Sequence, residues 1–135
     1  MIIGIGEDTC DIRRIEKALQ RHGHRFLERC FTADERAKAE SRKGAQEPAS
    51  TLAKRFAAKE ACAKALGTGF NMGVNFRSIG VISAPTGAPT LKLTDGAKKR
   101  LESLTPKGKI AHIHVTLGDE YPYARALVII ECLDA

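Results

Sequence analysis

Phe56, Glu60 and Lys64 follow one another at four-residue steps, so a helix would align them along one stripe, with Arg55 and Lys59 in the stripe beside it. Two chemistries fit such a pattern. Glu60 and Lys64 can form a surface ion pair in the favoured orientation, contributing about 0.3–0.5 kcal/mol. Alternatively the clustered lysines and arginine receive an anion. The Gly67-Thr68-Gly69 turn that follows favours the second, because a glycine turn beside clustered cations suits a phosphate. The GxxxxGK[ST] pattern is missing, so a P-loop is not supported.

Three further groups of residues carry possible chemistry. Gly4-Ile5-Gly6-Glu7-Asp8 reads as a strand end meeting a helix start, where glycines let a ligand approach and Asp8 projects as a metal ligand. Taken alone, an Asp in that place is more often a helix cap. Arg14, Lys17 and Arg21 fall at helical spacing opposite Ile12, Ile15 and Leu19, and Arg25 extends the patch. A face of this kind is usually just solvated, but only Glu16 offsets it and an acidic helix is its natural partner. His112 and His114 share one strand face, where a packed structural role is commoner than a metal site. Asp119 opens Asp-Glu-Tyr-Pro, which reads as a hairpin turn.

The elements that must position these residues follow from local signals. Met1 to Gly6 is a short apolar run ended by glycine, a buried strand. Thr9 or Asp11 caps a first helix that stops at Gly23, and Thr32-Ala33-Asp34-Glu35 fits a capping box opening a second that fades near Ser41. Arg42 to Pro48 reads as a mobile basic loop. A third helix spans about 50–66 and is crowded with alanine, which maximises propensity and permits close packing. Strands are expected over 78–83, 90–93, 110–117 and 123–132, with a helix from Asp95 to Leu104 capped by Thr94. Ile113, Val115 and Leu117 alternate with His112, His114 and Thr116, the period of a strand with one buried face. Helices and mostly antiparallel strands in this order imply an α+β fold over 1–135, one domain around a central alanine-rich helix.

Bulk properties bound the function without choosing it. Apolar residues make up 43% and charged residues 28%, which excludes disorder. The longest apolar run, Ala126 to Ile130, is too short to cross a bilayer, and a leader of the secretory type is not expected. Cys10, Cys30, Cys62 and Cys132 lie too far apart for zinc or CxxC chemistry, so they read as reduced, mostly buried thiols in a cytoplasmic protein. A net charge of +6 attracts anionic partners. Nucleic acid is disfavoured, since aromatics for stacking are scarce and two acids sit inside the proposed anion site.

Together these segments resemble the holo-acyl-carrier-protein synthase family, the short branch of the phosphopantetheinyl transferases. Gly4-Ile5-Gly6-Glu7-Asp8 with Ile12, Arg14 and Ile15 is similar to that family's opening motif, and Phe31-Thr32 with Glu35 to its second helix. Arg55-Phe56-Ala57-Ala58-Lys59-Glu60-Ala61, then Lys64-Ala65 and Gly67-Thr68-Gly69, resembles its signature. Gly87 and Pro89 fit a family turn, and His114-Val115-Thr116-Leu117 with Tyr123-Ala124 fits the closing hairpin. The resemblance implies transfer of 4′-phosphopantetheine from coenzyme A to a serine of an acidic apo acyl carrier protein, with 3′,5′-ADP released. It further implies magnesium held by Asp8 and Glu60, and Lys64 on the pyrophosphate. Arg55, Lys59 and the turn of Gly67, Thr68 and Gly69 would seat the nucleotide end. Arg14, Lys17, Arg21 and Arg25 would dock the carrier. Glu60 or a water on the metal would take the serine proton. Relatives of this size form homotrimers with sites at subunit interfaces, so Pro85 to Pro89 would reach a neighbour's ligand. Many relatives carry a histidine where Asp119 stands. The rival readings are a basic nucleic-acid-binding domain and a coenzyme A-dependent acyltransferase, which would release free coenzyme A.

Overall fold

The computed structural model describes residues 1–42, 44 and 47–135. Its framework is a three-stranded antiparallel sheet in the order β1, β5, β4, made of β1 (Ile2–Asp11), β4 (Lys109–Glu120) and β5 (Tyr123–Asp134). Central β5 buries Ala124, Ala126, Val128, Ile130 and Cys132, the alternate residues on one side of its pleat. Ile113, Val115 and Leu117 of β4 join that side, and His112, His114 and Thr116 face outward as their alternation implies.

Across the buried side lies α4 (Glu47–Ala65), 19 residues long. Ala53, Ala57, Ala58 and Ala61 have no exposed surface, and their small size lets the helix backbone meet the sheet directly. The contact is closest at two glycines of β1. A Cβ on Gly4 would stand 2.2 Å from the Ala65 carbonyl oxygen, and one on Gly6 would stand 1.9 Å from that of Ala61. These glycines therefore admit the helix, not a ligand as their sequence context suggests.

The remaining elements wrap this layer. Helix α1 (Ile12–His22) is capped by Asp11, whose side chain accepts from the Arg13 amide, and ends at Gly23. Gly23 only bends the chain, because a further helix α2 (His24–Cys30) follows it. The capping box is formed at α3 (Ala33–Glu40): Thr32 accepts from the Glu35 amide, and Glu35 accepts from that of Thr32. Helix α4 starts before the expected Ser50, and Pro48 occupies its first turn, a position where the missing N–H is harmless. Of the expected basic loop, Lys43, Ala45 and Gln46 lie outside the described residues. A separate hairpin pairs β2 (Ile79–Ser83) with β3 (Pro89–Leu93), and α5 (Asp95–Leu104) follows. Thr94 sits at the cap position of α5 but makes no side-chain cap bond. Among the described residues no helix is long and apolar enough to cross a membrane.

Strand β1 is longer than its apolar run. It continues through Glu7, Asp8 and Thr9 to Asp11, paired with β5 throughout. Asp8 thus lies inside a strand and not at its end. Its place in the alternation, with Gly4, Gly6 and Cys10, turns it toward α4.

Candidate active site

Asp8 meets α4 near the helix's C-terminal end. Its Oδ1 accepts a hydrogen bond from Lys64 Nζ at 2.8 Å, and the same Nζ donates to the Glu7 carbonyl at 2.9 Å. Lys64 therefore pairs with Asp8, not with Glu60 one turn earlier on the stripe. It remains 56% exposed while Asp8 is 15% exposed. A pair so open to water contributes at most about 1 kcal/mol, so fold stability does not account for it.

Glu60 faces the same point. Burial and the like charge of Asp8 hold its carboxyl above the usual range, offset in part by Arg14 and Lys64. At Glu60, burial and the second carboxylate outweigh the two cations beside it. That donor set fits magnesium, which takes one or two carboxylates and fills its octahedron with water and phosphate oxygens. Groups of three or more His, Cys, Asp or Glu able to enclose a metal do not occur among the described residues. Cys10, fully buried beside the pair, has its thiol pushed up by burial to about 11 and stays protonated and unreactive.

The expected anion-binding residues separate into three kinds. Arg55 is only 8% exposed, and its buried Nε makes no hydrogen bond within the described residues. Arg55 lines a cleft of about 210 Å³ together with Lys38, Arg42, Lys54, Ser83 and Pro89. Lys59 is a correction. Its side chain is wholly inside the protein, paired with Glu35 at 2.8 Å, and burial pulls it below the ordinary lysine range despite that partner. One residue separates it from Glu60, and that 100° rotation points it at the core, so it does not touch a nucleotide. The glycine turn is the third case. Gly67 (φ +75°) and Gly69 (φ +58°) end α4, and their amides bond back to the Lys64 and Ala63 carbonyls. Neither N–H is free for a phosphate, although the face of Gly69 is open, with nothing within 4 Å of a built Cβ.

Arg14, Lys17, Arg21 and Arg25 are all exposed, the first three on α1 and Arg25 on α2. Arg14 is near enough to act on Glu60 electrostatically, so this basic face begins at the edge of the carboxyl pair. His112 and His114 are exposed and not packed, and His114 Nε2 lies 2.9 Å from Glu131. Asp119 lies within β4 and pairs with Lys54 at 3.1 Å, beside the Arg55 cleft, in place of the expected turn role.

Sequence reasoning missed Lys38, Arg42 and Lys54 as partners of Arg55. They arrive from the end of α3 and the preceding residue of α4, and no local pattern signals their convergence with a hairpin tip.

With the geometry established, likeness to known proteins is specific. Residues 4–125 match the model of the 4′-phosphopantetheinyl transferase superfamily. A holo-[acyl-carrier-protein] synthase from Granulibacter bethesdensis is 59% identical over 133 residues, covering 98% of this chain and 91% of its own length. The crystal structure of the synthase from Neisseria meningitidis superposes with a TM-score of 0.83 at 35% identity, over 97% of this chain and 99% of that one. The Bacillus anthracis synthase, crystallised in complex with CoA (3′,5′-ADP), gives a TM-score of 0.75 at 35% identity, over 96% of both chains. Agreement of this extent in sequence and fold places the chain in the holo-[acyl-carrier-protein] synthase family of the 4′-phosphopantetheinyl transferase superfamily.

Proposed function

We propose that Asp8, Glu60 and Lys64 form the centre at which this phosphopantetheinyl transferase moves the 4′-phosphopantetheine arm of coenzyme A onto a serine of apo acyl carrier protein. The observation that carries this reading is the meeting of Asp8 and Glu60, from the first strand and the central helix, beside the lysine that grips Asp8. The serine Oγ bonds to the phosphorus on the pantetheine side of the pyrophosphate, and the bond to 3′,5′-ADP breaks. Lys64, anchored by Asp8 and the Glu7 carbonyl, holds the pyrophosphate as charge shifts to the leaving group. Glu60, whose carboxyl burial and Asp8 hold above the usual range, accepts the serine proton. Magnesium held by Asp8 and Glu60 would supply neutralising charge at the pyrophosphate. Arg55, which lines the cleft with Lys38, Arg42 and Lys54, receives the nucleotide end.

The carrier docks on the basic face that starts at Arg14 and runs through Lys17 and Arg21 to Arg25. A hollow lined by His22, Arg25, Phe26 and Arg29 gives an acidic helix an apolar foothold beside its charge partners. Such a face mainly steers association. The outer side of the three-stranded sheet supports assembly into a homotrimer: Ile5 is 64% exposed, in register with half-buried Ile129 and, beyond it, His114. Four free, buried cysteines suit a reducing compartment, and we place the enzyme in the cytoplasm.

The test is direct. Incubation with coenzyme A, magnesium and an apo carrier should add one phosphopantetheine to the carrier's mass and release 3′,5′-ADP. Glu60→Gln should keep the fold and lose transfer by at least about 100-fold. Free coenzyme A as the product would identify an acyltransferase, and full activity in the variant would remove Glu60 from the site.

A further inference from the structure

We infer that the buried Glu35–Lys59 pair positions the Arg55 cleft by pinning the β2–β3 hairpin to the helix that carries Arg55 and Glu60. Both side chains have no exposed surface, and every polar atom is used. Lys59 Nζ donates to Glu35 Oε1 at 2.8 Å, to the Phe76 carbonyl at 2.7 Å and to the Ile79 carbonyl at 2.5 Å, which exhausts its three donors. Glu35 Oε1 also accepts from the Thr32 amide, and Oε2 accepts from the Val81 amide at 2.8 Å. Four pieces of backbone are thereby joined: the start of α3, the middle of α4, the turn before β2, and β2 itself.

A buried ion pair is weak evidence for stability, because removing two charges from water offsets their attraction. What this one fixes is direction. The β2–β3 hairpin forms its own two-stranded sheet, with no ladder to β4, and an isolated hairpin is marginal in water. Its placement therefore depends on packing and on bonds at Ile79 and Val81. Two residues past Val81, Ser83 reaches the cleft, opposite Pro89 on the partner strand. Arg55 lies one helical turn before Lys59, so the pin and the cleft share adjacent turns of α4. Slippage at the pin is transmitted to Ser83 and Pro89 over a short, stiff span.

The inference rests on reading the Arg55 cleft as the coenzyme A site, and its test separates the two. Glu35→Gln combined with Lys59→Met removes both charges and keeps one oxygen for the Thr32 or Val81 amide. The double variant should remain folded by circular dichroism. Its KM for coenzyme A should rise about tenfold or more, its KM for the carrier should hold, and kcat should change less than about threefold. Arg55→Ala is measured alongside. If Arg55→Ala raises the coenzyme A KM and the double variant does not, the positioning role is overturned while the cleft stands. If Arg55→Ala has no effect, the cleft reading falls and this inference with it. Should the double variant fail to fold, hydrogen exchange in the wild type decides. The Val81 amide should exchange with the slow amides of central α4, and exchange as fast as the hairpin tip overturns the pin.

Discussion

Replacing Gly6 with alanine adds one carbon at the tightest glycine contact among the described residues. The new Cβ would lie 1.9 Å from the Ala61 carbonyl oxygen and 2.9 Å from both the Ala61 carbonyl carbon and the Ala65 nitrogen. All three are backbone atoms, so no side chain can rotate away. Restoring the 3.0 Å that real Cβ contacts respect separates strand and helix by roughly 1 Å, and overpacking of this kind destabilises by about 1–3 kcal/mol. For a chain of this length that lowers the melting temperature by about 3–12 °C. The effect on function is larger. Asp8 lies two residues along the same strand face, and its 2.8 Å bond to Lys64 lengthens with the separation. A misplacement near 1 Å lowers the transfer rate by about 100-fold. Since a domain has roughly 5–15 kcal/mol of stability, the variant stays mostly folded and the rate loss exceeds any unfolded fraction. Thermal melting and carrier mass analysis well below the transition measure the two effects separately. Gly80→Ala is the control, because its Cβ would meet Thr32 and Lys92 at ordinary distances of 3.5 and 3.6 Å. Wild-type melting and turnover in Gly6→Ala would refute the direct strand–helix contact on which the site geometry depends.

Three other perturbations test separate parts of the molecule. Arg21→Glu should raise the carrier KM by about tenfold at low salt, an effect that fades as salt screens the surface, and should leave the coenzyme A KM unchanged. Adding Arg14→Glu should also lower kcat, because Arg14 offsets the crowding of Glu60 with Asp8; an unaltered carrier KM in both would move the docking face elsewhere. Asp119→Asn should leave stability within about 1 kcal/mol, as the Lys54 pair is partly exposed, and should lower the coenzyme A KM roughly two- to fivefold by freeing Lys54. An unchanged KM would make Asp119 a strand residue only. The Arg13 guanidinium lowers the Asp11 carboxyl from 3.8 to about 2. A depressed carboxyl pKa contributes stability above the unfolded value and loses it as pH falls through the folded one. The melting difference between wild type and Asp11→Ala should therefore be full above about pH 5 and fall away progressively toward about pH 1, and a difference independent of pH would contradict the Arg13 pairing.

Local signals reached as far as local physics does. The cap at Thr32, the alternation of β4 and the alanine content of α4 each depend on neighbours in the chain, and each was legible; of the two caps offered for α1, Thr9 and Asp11, the structure uses Asp11. Helix α2 was missed because Gly23, a sound stop signal, serves here as a bend between two helices. The continuation of β1 through Glu7, Asp8 and Thr9 was missed because those polar residues interrupt its apolar run, although two of them face outward. Lys59 was misplaced for a related reason. A lysine on a stripe beside glutamate and arginine looks solvated, and only the arrival of Glu35 from another helix makes its burial tolerable.

The candidate centre shows the same division more sharply. The family resemblance marked Asp8 and Glu60 for a cation and Lys64 for the pyrophosphate, but their convergence depends on what Gly4, Gly6, Ala61 and Ala65 lack. Any side chain on the two glycines would strike the helix backbone, and larger residues at Ala61 and Ala65 would meet the strand. Absent side chains carry no chemical signature, so a reading tuned to reactive groups assigns such glycines to ligand approach. In this fold the paired acids and the bare strand–helix contact are one construction. Changes far from any substrate atom can therefore abolish transfer while leaving every reactive group in place.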